Sequence, residues 1–165
     1  MTRGTNRIQV NGPHMMTVRR LMLASALASL AAPSLAERGL VKFPETYAEG
    51  VRYAVVDRGN IHEEIFTSRV AIDAVRNGQP IPSGTVITLV DYREGKLYRY
   101  VVMEKRSGWG IKYPPELRNG EWEYEAFNAD RTVNTSDDVS RCFACHKAQA
   151  KSDYVFTFQH MKDGR

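Results

Sequence analysis

Short segments rich in β-branched and aromatic residues predict five strands between residue 51 and residue 127. The third and fourth are joined by Arg93-Glu94-Gly95, which predicts a tight hairpin turn. In the fifth, acidic and apolar side chains alternate strictly, so we expect a half-buried strand whose glutamates face solvent. The five segments are 51–56, 64–67, 85–92, 96–103 and 121–127.

Helical signals lie before, between and after these strands. Pro44 suits the first turn of a short N-terminal helix. Ser68 is placed to cap a helix that Gly78 ends, and its predicted apolar positions are Val70, Ala71, Ala74 and Val75. The polar run 135–138 predicts the start of a last helix that continues toward residue 150. These patterns predict the α+β class: a small antiparallel β-sheet with a few packed helices in one domain over residues 37–165.

Residues 1–36 have the three parts of a secretory signal peptide. Arg19-Arg20 precedes an apolar run over 21–32, and Ser34-Leu35-Ala36 offers small residues for cleavage. The run is well short of the roughly 20 residues that span a bilayer, which disfavours the alternative of an uncleaved anchor. We therefore expect a cleaved leader, residues 1–36, and a periplasmic mature protein without a membrane segment.

The formal net positive charge of the chain comes from this leader. The sequence has 23 Lys and Arg against 19 Asp and Glu, and four of the arginines lie in residues 1–36 beside no acidic residue. The remainder has 23 − 4 = 19 basic and 19 acidic residues, so its formal net charge is zero. A nucleic-acid partner is not expected, because phosphate binding needs a surplus of cationic side chains.

Both cysteines of the chain lie in the motif Cys142-Phe143-Ala144-Cys145-His146. This C-x-x-C-H spacing is typical of c-type haem attachment. On a helix the two thiols lie on one side and can add to two vinyl groups of one porphyrin, while His146 binds the iron. The motif thus predicts one covalently attached haem c with its iron. The alternatives are a redox dithiol and a plain disulfide. A structural zinc site is not expected, because it would need a second pair of ligand residues.

The C-terminal stretch that contains this motif, residues 142–157, resembles the end of the cytochrome P-460 family, in which C-x-x-C-H precedes an Asp-x-Val-Phe-Thr-like sequence. Residues 43–47, residues 78–86 and the strand of Trp122 are also similar to that family. The resemblance implies a mainly antiparallel domain, often a homodimer, with a C-terminal haem-attachment helix and an open sixth position on the iron.

The family that this chain resembles has two functional branches. Cytochromes P-460 oxidise hydroxylamine and carry an additional lysine cross-link to the haem, whereas cytochromes c′-beta lack the link and bind gases such as nitric oxide. The linking position corresponds to Leu89 here, which has no amine. Lys96 or Lys105 would have to reach the haem from the next strand to replace it. The substitution favours the gas-binding branch.

Glu104 matches a distal carboxylate of the cross-linked members, and the resemblance makes it a catalytic general acid or base. The alternative is a surface glutamate at a strand end, paired with Lys105 or Arg106. A sixth iron ligand could come from any of four residues, each of which also has an ordinary structural explanation: Met103, Met161, His62 and His160.

The sequence therefore predicts an exported monohaem c-type cytochrome with an open site for nitric oxide or a related small nitrogen species. The alternatives are a hydroxylamine-oxidising haem oxidoreductase and a periplasmic electron-transfer cytochrome. Expected partners are the small gaseous or nitrogenous ligand, a redox partner protein and a second copy of the chain in a homodimer.

Overall fold

A computed structural model describes Met1 and residues 39–115 and 118–163 of the chain. Its centre is a five-stranded antiparallel sheet in which each strand pairs with its neighbour in sequence. The α+β class and all five strands are confirmed. The predicted leader, apart from Met1, lies outside the described residues. The strands are β1 (Val51–Arg58), β2 (Ile61–Thr67), β3 (Val86–Arg93), β4 (Lys96–Lys105) and β5 (Trp122–Asn128).

The predicted turn between β3 and β4 is confirmed. Glu94 and Gly95 have φ angles of 50° and 74°, so both central residues of the turn are left-handed. This backbone twist matches the twist of the flanking strands, and glycine adopts it without steric cost. Beyond the turn the register shifts by one residue between Asp91 and Tyr92, and in the shifted register Ile87 lies opposite Met103 and Leu89 lies opposite Val101.

A short 3₁₀ helix, Tyr47–Glu49, precedes β1, and the first α-helix, α1 (Arg69–Arg76), follows β2 directly. As predicted, Ser68 caps it, and the Ser68 hydroxyl accepts a hydrogen bond from Ala71 N at 3.2 Å. Its buried side chains are Ala71, Ile72 and Val75. The prediction for Val70 is wrong: this side chain is 68% exposed, because the buried stripe runs through Ile72 instead.

The two faces of the sheet are covered by different parts of the chain. The cavity face, which carries Ile87 and Met103, packs against α1 and the C-terminal helices α2 (Ser140–Lys147) and α3 (Phe158–Asp163). The opposite face packs against the segment that precedes β1. There the ring of Phe43 contacts Tyr100 and Phe127, with centroid distances of 4.9 and 5.3 Å. Each face therefore has its own apolar core.

The expectation of a solvated acidic face on β5 is wrong. Glu123 and Glu125 are only 1% and 0% exposed and lie on the opposite face of the sheet. The segment before β1 passes this region, and Gly39 N donates to Glu125 Oε2 at 3.1 Å. Alternation along a strand separates two chemically different faces, but it does not show whether another segment covers the polar one.

The C-terminal part is more divided than predicted. The last predicted helix begins at Ser140 rather than within 135–138, where Asp138 accepts a hydrogen bond from Ser140 N at 3.0 Å. It ends at Lys147, and a 3₁₀ turn at Ala150–Ser152 follows. The tail then forms α3, which sequence reasoning missed. Among the described residues, we find no helix with the length and apolarity needed to cross a bilayer.

Candidate functional site

The motif predicted to attach haem lies on α2. Both cysteines are free thiols; Cys142 is half-buried and Cys145 is exposed. Burial raises the pKa of the Cys142 thiol to about 11, so this thiol is neutral at neutral pH. Between them, Phe143 is buried against Tyr124, with ring centroids 4.8 Å apart. This aromatic contact anchors α2 to β5, and the i, i+3 spacing places both sulfurs on one side of the helix.

His146 is held in a defined orientation. Its Nδ1 lies 2.6 Å from Tyr154 O, and because a carbonyl oxygen only accepts, Nδ1 carries the proton. The lone pair is then on Nε2. Burial lowers the pKa of His146, although the hydrogen bond to Tyr154 opposes the shift, so the imidazole is neutral at neutral pH. A neutral imidazole fixed through Nδ1 is the form in which histidine binds metals.

A cavity of about 110 Å³ lies between His146 and the sheet. The strands contribute Ile65, Ile87, Leu89, Val101, Met103 and Tyr124 to it. The residues that follow α2 complete the lining with Val155, Phe156 and Thr157.

None of these lining residues carries a formal charge at neutral pH. The two hydroxyl groups already have partners in the structure: Tyr124 OH accepts from Asn119 Nδ2 at 3.1 Å, and Thr157 Oγ1 lies 2.7 Å from Tyr53 OH. The cavity is therefore apolar.

These residues fit a haem. The free Nε2 of His146 supplies the iron ligand, the two thiols supply the attachment points, and the apolar side chains suit a porphyrin surface. Phe156 is 56% exposed, so the site reaches the protein surface.

Two predicted residues reach this cavity from the sheet. Leu89 lines it, so the position at which the resemblance expects a linking lysine presents an apolar side chain there. Met103, a candidate sixth ligand, also lines it. Lys105 lies on the same face of β4, but its Nζ binds Asp153 Oδ2 at 2.6 Å. Lys96 is exposed at the turn between β3 and β4.

The structure does not bring Glu104 to this cavity. Because Met103 faces the cavity, its neighbour on the strand points to the opposite face. There the Glu104 carboxylate accepts from Arg106 Nε at 2.5 Å, which is the pairing that the alternative predicts, but it is buried rather than at the surface.

The other three candidate sixth ligands also lie elsewhere. His62 is on the opposite face beside Asp57, with Nδ1 and Oδ1 2.7 Å apart. His160 is exposed on α3, and Met161 is buried in the core.

Sequence reasoning missed Asn119, because no motif or spacing singles out one asparagine in a loop. This buried side chain donates from Nδ2 to Tyr124 OH at 3.1 Å and to Phe143 O at 3.0 Å. It therefore connects β5 to the helix that carries the cysteines.

We expect Asn119→Ala to lower the free energy of unfolding by about 1–3 kcal/mol, because it leaves a buried hydroxyl and a buried carbonyl without this donor. Urea unfolding of the purified protein measures the loss. Asn128→Ala is the matched control, since Asn128 is exposed and donates to Thr132. Equal stabilities of the two variants would contradict the connecting role of Asn119.

An attachment helix with a C-x-x-C-H motif, packed over an apolar cavity in an antiparallel sheet, defines a haem-binding cytochrome. The family model Cytochrome P460 matches residues 44–157, which include all five strands and α2. The chain belongs to the cytochrome P460 family, and the resemblance drawn from the sequence is confirmed. The comparison with curated proteins gave no significant match.

Proposed function

We propose that this chain is an exported monohaem c-type cytochrome that binds nitric oxide or a related small, neutral nitrogen species. In this proposal Cys142 and Cys145 hold the haem through thioether bonds, and His146 is the proximal ligand. The bound haem supplies an iron that takes up a small ligand and can change its oxidation state. The signal-like leader supports a periplasmic location, where the thioethers can form, and a redox partner or a second copy of the chain would be met there.

The observation that carries this proposal is the chemistry of the cavity beside His146. Its lining is apolar and its two hydroxyls are engaged within the protein, so the side chains that would surround a bound haem offer neither a charge nor an unpaired hydroxyl to a ligand on the iron. Such surroundings favour a neutral ligand over a charged one, because an ion would lose its hydration without gaining a partner. The residues thus exclude charged ligands and admit neutral gases.

The same lining argues against hydroxylamine oxidation. That reaction has to remove protons, and a general base must lie within hydrogen-bond reach of the proton it takes. The carboxylate predicted for this role, Glu104, lies on the opposite face and pairs with Arg106. Leu89, which by resemblance corresponds to the linking lysine, presents an apolar side chain to the cavity. We therefore favour ligand binding over oxidation.

One observation favours a second candidate, an electron-transfer cytochrome. The Met103 side chain lines the same cavity, and a thioether sulfur is a known axial ligand of haem iron in electron carriers. If Met103 were the sixth ligand, it would occupy the position that the gas needs. The two candidates therefore differ in whether this position is open.

The deciding experiment records the optical spectrum of the ferrous holoprotein before and after nitric oxide is added. For the wild type we expect a high-spin spectrum that changes at once with the gas. Met103→Leu should give the same response, because leucine keeps the apolar volume. Met161→Leu is a matched control in the buried core. The proposal would give way to the electron-transfer candidate if the wild-type protein had a low-spin spectrum that nitric oxide does not change, and only Met103→Leu had a high-spin spectrum.

A further inference from the structure

The turn after α2 has an uncommon backbone. Asp153 and Tyr154 have φ angles of 49° and 61°, so two consecutive residues other than glycine are left-handed. Side chains rarely adopt this conformation, so other contacts have to maintain it. The turn directs Tyr154 O toward His146 Nδ1, 2.6 Å away. The orientation of the iron-binding imidazole therefore depends on how firmly this turn is held.

Two side chains of the sheet hold the Asp153 carboxylate. Lys105 Nζ lies 2.6 Å from Asp153 Oδ2, and Trp122 Nε1 donates to Asp153 Oδ1 at 3.3 Å. Lys105 and Trp122 are register partners on β4 and β5, and Lys105 Nζ lies 5.8 Å from the centre of the indole ring. We name these three residues the clamp.

The surroundings of the clamp make it rigid. Trp122 is buried, and the side chains of Lys105 and Asp153 are 15% and 26% exposed, so solvent screens their ion pair less than a surface pair. Next to it, the Tyr154 ring lies against Gly120, where an added Cβ would come within 3.0 Å of the ring. Asp153 is thus held by the sheet, and Tyr154 packs against the loop residue that precedes β5.

We propose that Asp153, held by Lys105 and Trp122, is a positioning residue that sets the strength of the hydrogen bond from His146 Nδ1 to Tyr154 O. A stronger bond at Nδ1 makes Nε2 a better electron donor and favours the ferric over the ferrous state. The clamp would therefore keep the reduction potential low. This inference rests on the proposed function, because it requires His146 as the iron ligand.

Two variants separate the clamp from a simple effect of charge. Asp153→Asn removes the carboxylate charge but keeps a side chain that tolerates the left-handed region. Lys105→Met removes the ammonium group and keeps an unbranched chain over Trp122. If the two charges acted on the haem only through space, loss of the Asp153 carboxylate would raise the reduction potential and loss of the Lys105 ammonium group would lower it. If the clamp acts through the hydrogen bond, both variants raise the potential.

The experiment measures the midpoint potential of each holoprotein and the iron–histidine stretching frequency of each ferrous protein by resonance Raman spectroscopy. Asp57→Asn is the matched control, since Asp57 pairs with His62 on the opposite face. We expect both clamp variants to show a raised potential and a lowered frequency, with the control like the wild type. The backbone bond from Tyr154 N to Gln149 O, 2.8 Å long, remains in both variants and supports their folding.

If the reduction potentials of the two clamp variants shift in opposite directions, or do not shift, the proposed role of the clamp is wrong. This holds whether or not the wild-type protein binds nitric oxide. Conversely, a wild type that ignores nitric oxide contradicts gas binding. The potentials of the two clamp variants still test the clamp in that case, because a six-coordinate iron also keeps its proximal histidine. The two proposals therefore fail by different measurements.

Discussion

We expect the double substitution Cys142→Ser with Cys145→Ser to abolish covalent haem attachment. These are the only cysteines of the chain, so no other thiol can form a thioether bond. We expect the denatured variant to have the mass of the bare polypeptide and no haem absorbance, whereas the wild type retains its haem under the same conditions. Mass spectrometry after denaturation in acid measures the difference.

Ser140→Ala is the matched control, because it changes a side chain on the same helix and leaves both thiols in place. We expect it to retain the haem as the wild type does. Haem that remained on the denatured double variant would contradict attachment through the two cysteines alone. Such a result would point to a bond from another side chain, and Lys105, on the cavity face, would be the first residue to test.

Replacement of His146 is expected to have the second large effect. In His146→Ala both thiols remain, so the denatured protein keeps its haem mass, but the proximal nitrogen is lost. We expect a changed spin state and a ferrous spectrum unlike that of the wild type in the absence of added ligand. Optical spectroscopy of the native protein, together with mass spectrometry of the denatured protein, separates ligation from attachment.

Two histidines provide controls of the same chemistry. His160→Ala changes an exposed side chain on α3, and His62→Ala changes one on the opposite face of the sheet. Both should retain the wild-type spectrum. If His146→Ala also retained it, another side chain would have to be the proximal ligand. A spectral change in His146→Ala alone would support His146 as the proximal ligand.

Much of the fold could be predicted because its signals are local. The β-branched and aromatic segments are strands, Ser68 caps α1, and the turn at Glu94 and Gly95 has the left-handed backbone that its sequence favours. The start of α2 shows the limit of a local signal: the polar run 135–138 predicts it, and Asp138 does accept a hydrogen bond from Ser140 N, but the helix begins only at Ser140.

The parts of the site that depend on strand register could not be predicted from local sequence. The resemblance gives Glu104 a catalytic role, yet the direction of its side chain is set by the strand pairing that turns Met103 toward the cavity. A single strand shows that adjacent side chains face opposite sides, but not which side carries the site. The buried glutamates of β5 illustrate the same limit, since the residues that cover them are distant in sequence.

By itself the sequence determined the chemistry available to this protein: two thiols and a histidine at the spacing of a haem attachment helix, and a leucine where a linking lysine was expected. Only the tertiary structure decided how these groups are used. It directed Tyr154 O to His146 Nδ1, brought Lys105 to Asp153, and placed Leu89 and Met103 around one cavity. The physical reason is that covalent chemistry depends on residue type and short spacing, whereas orientation depends on strand register and on contacts between residues far apart in the chain.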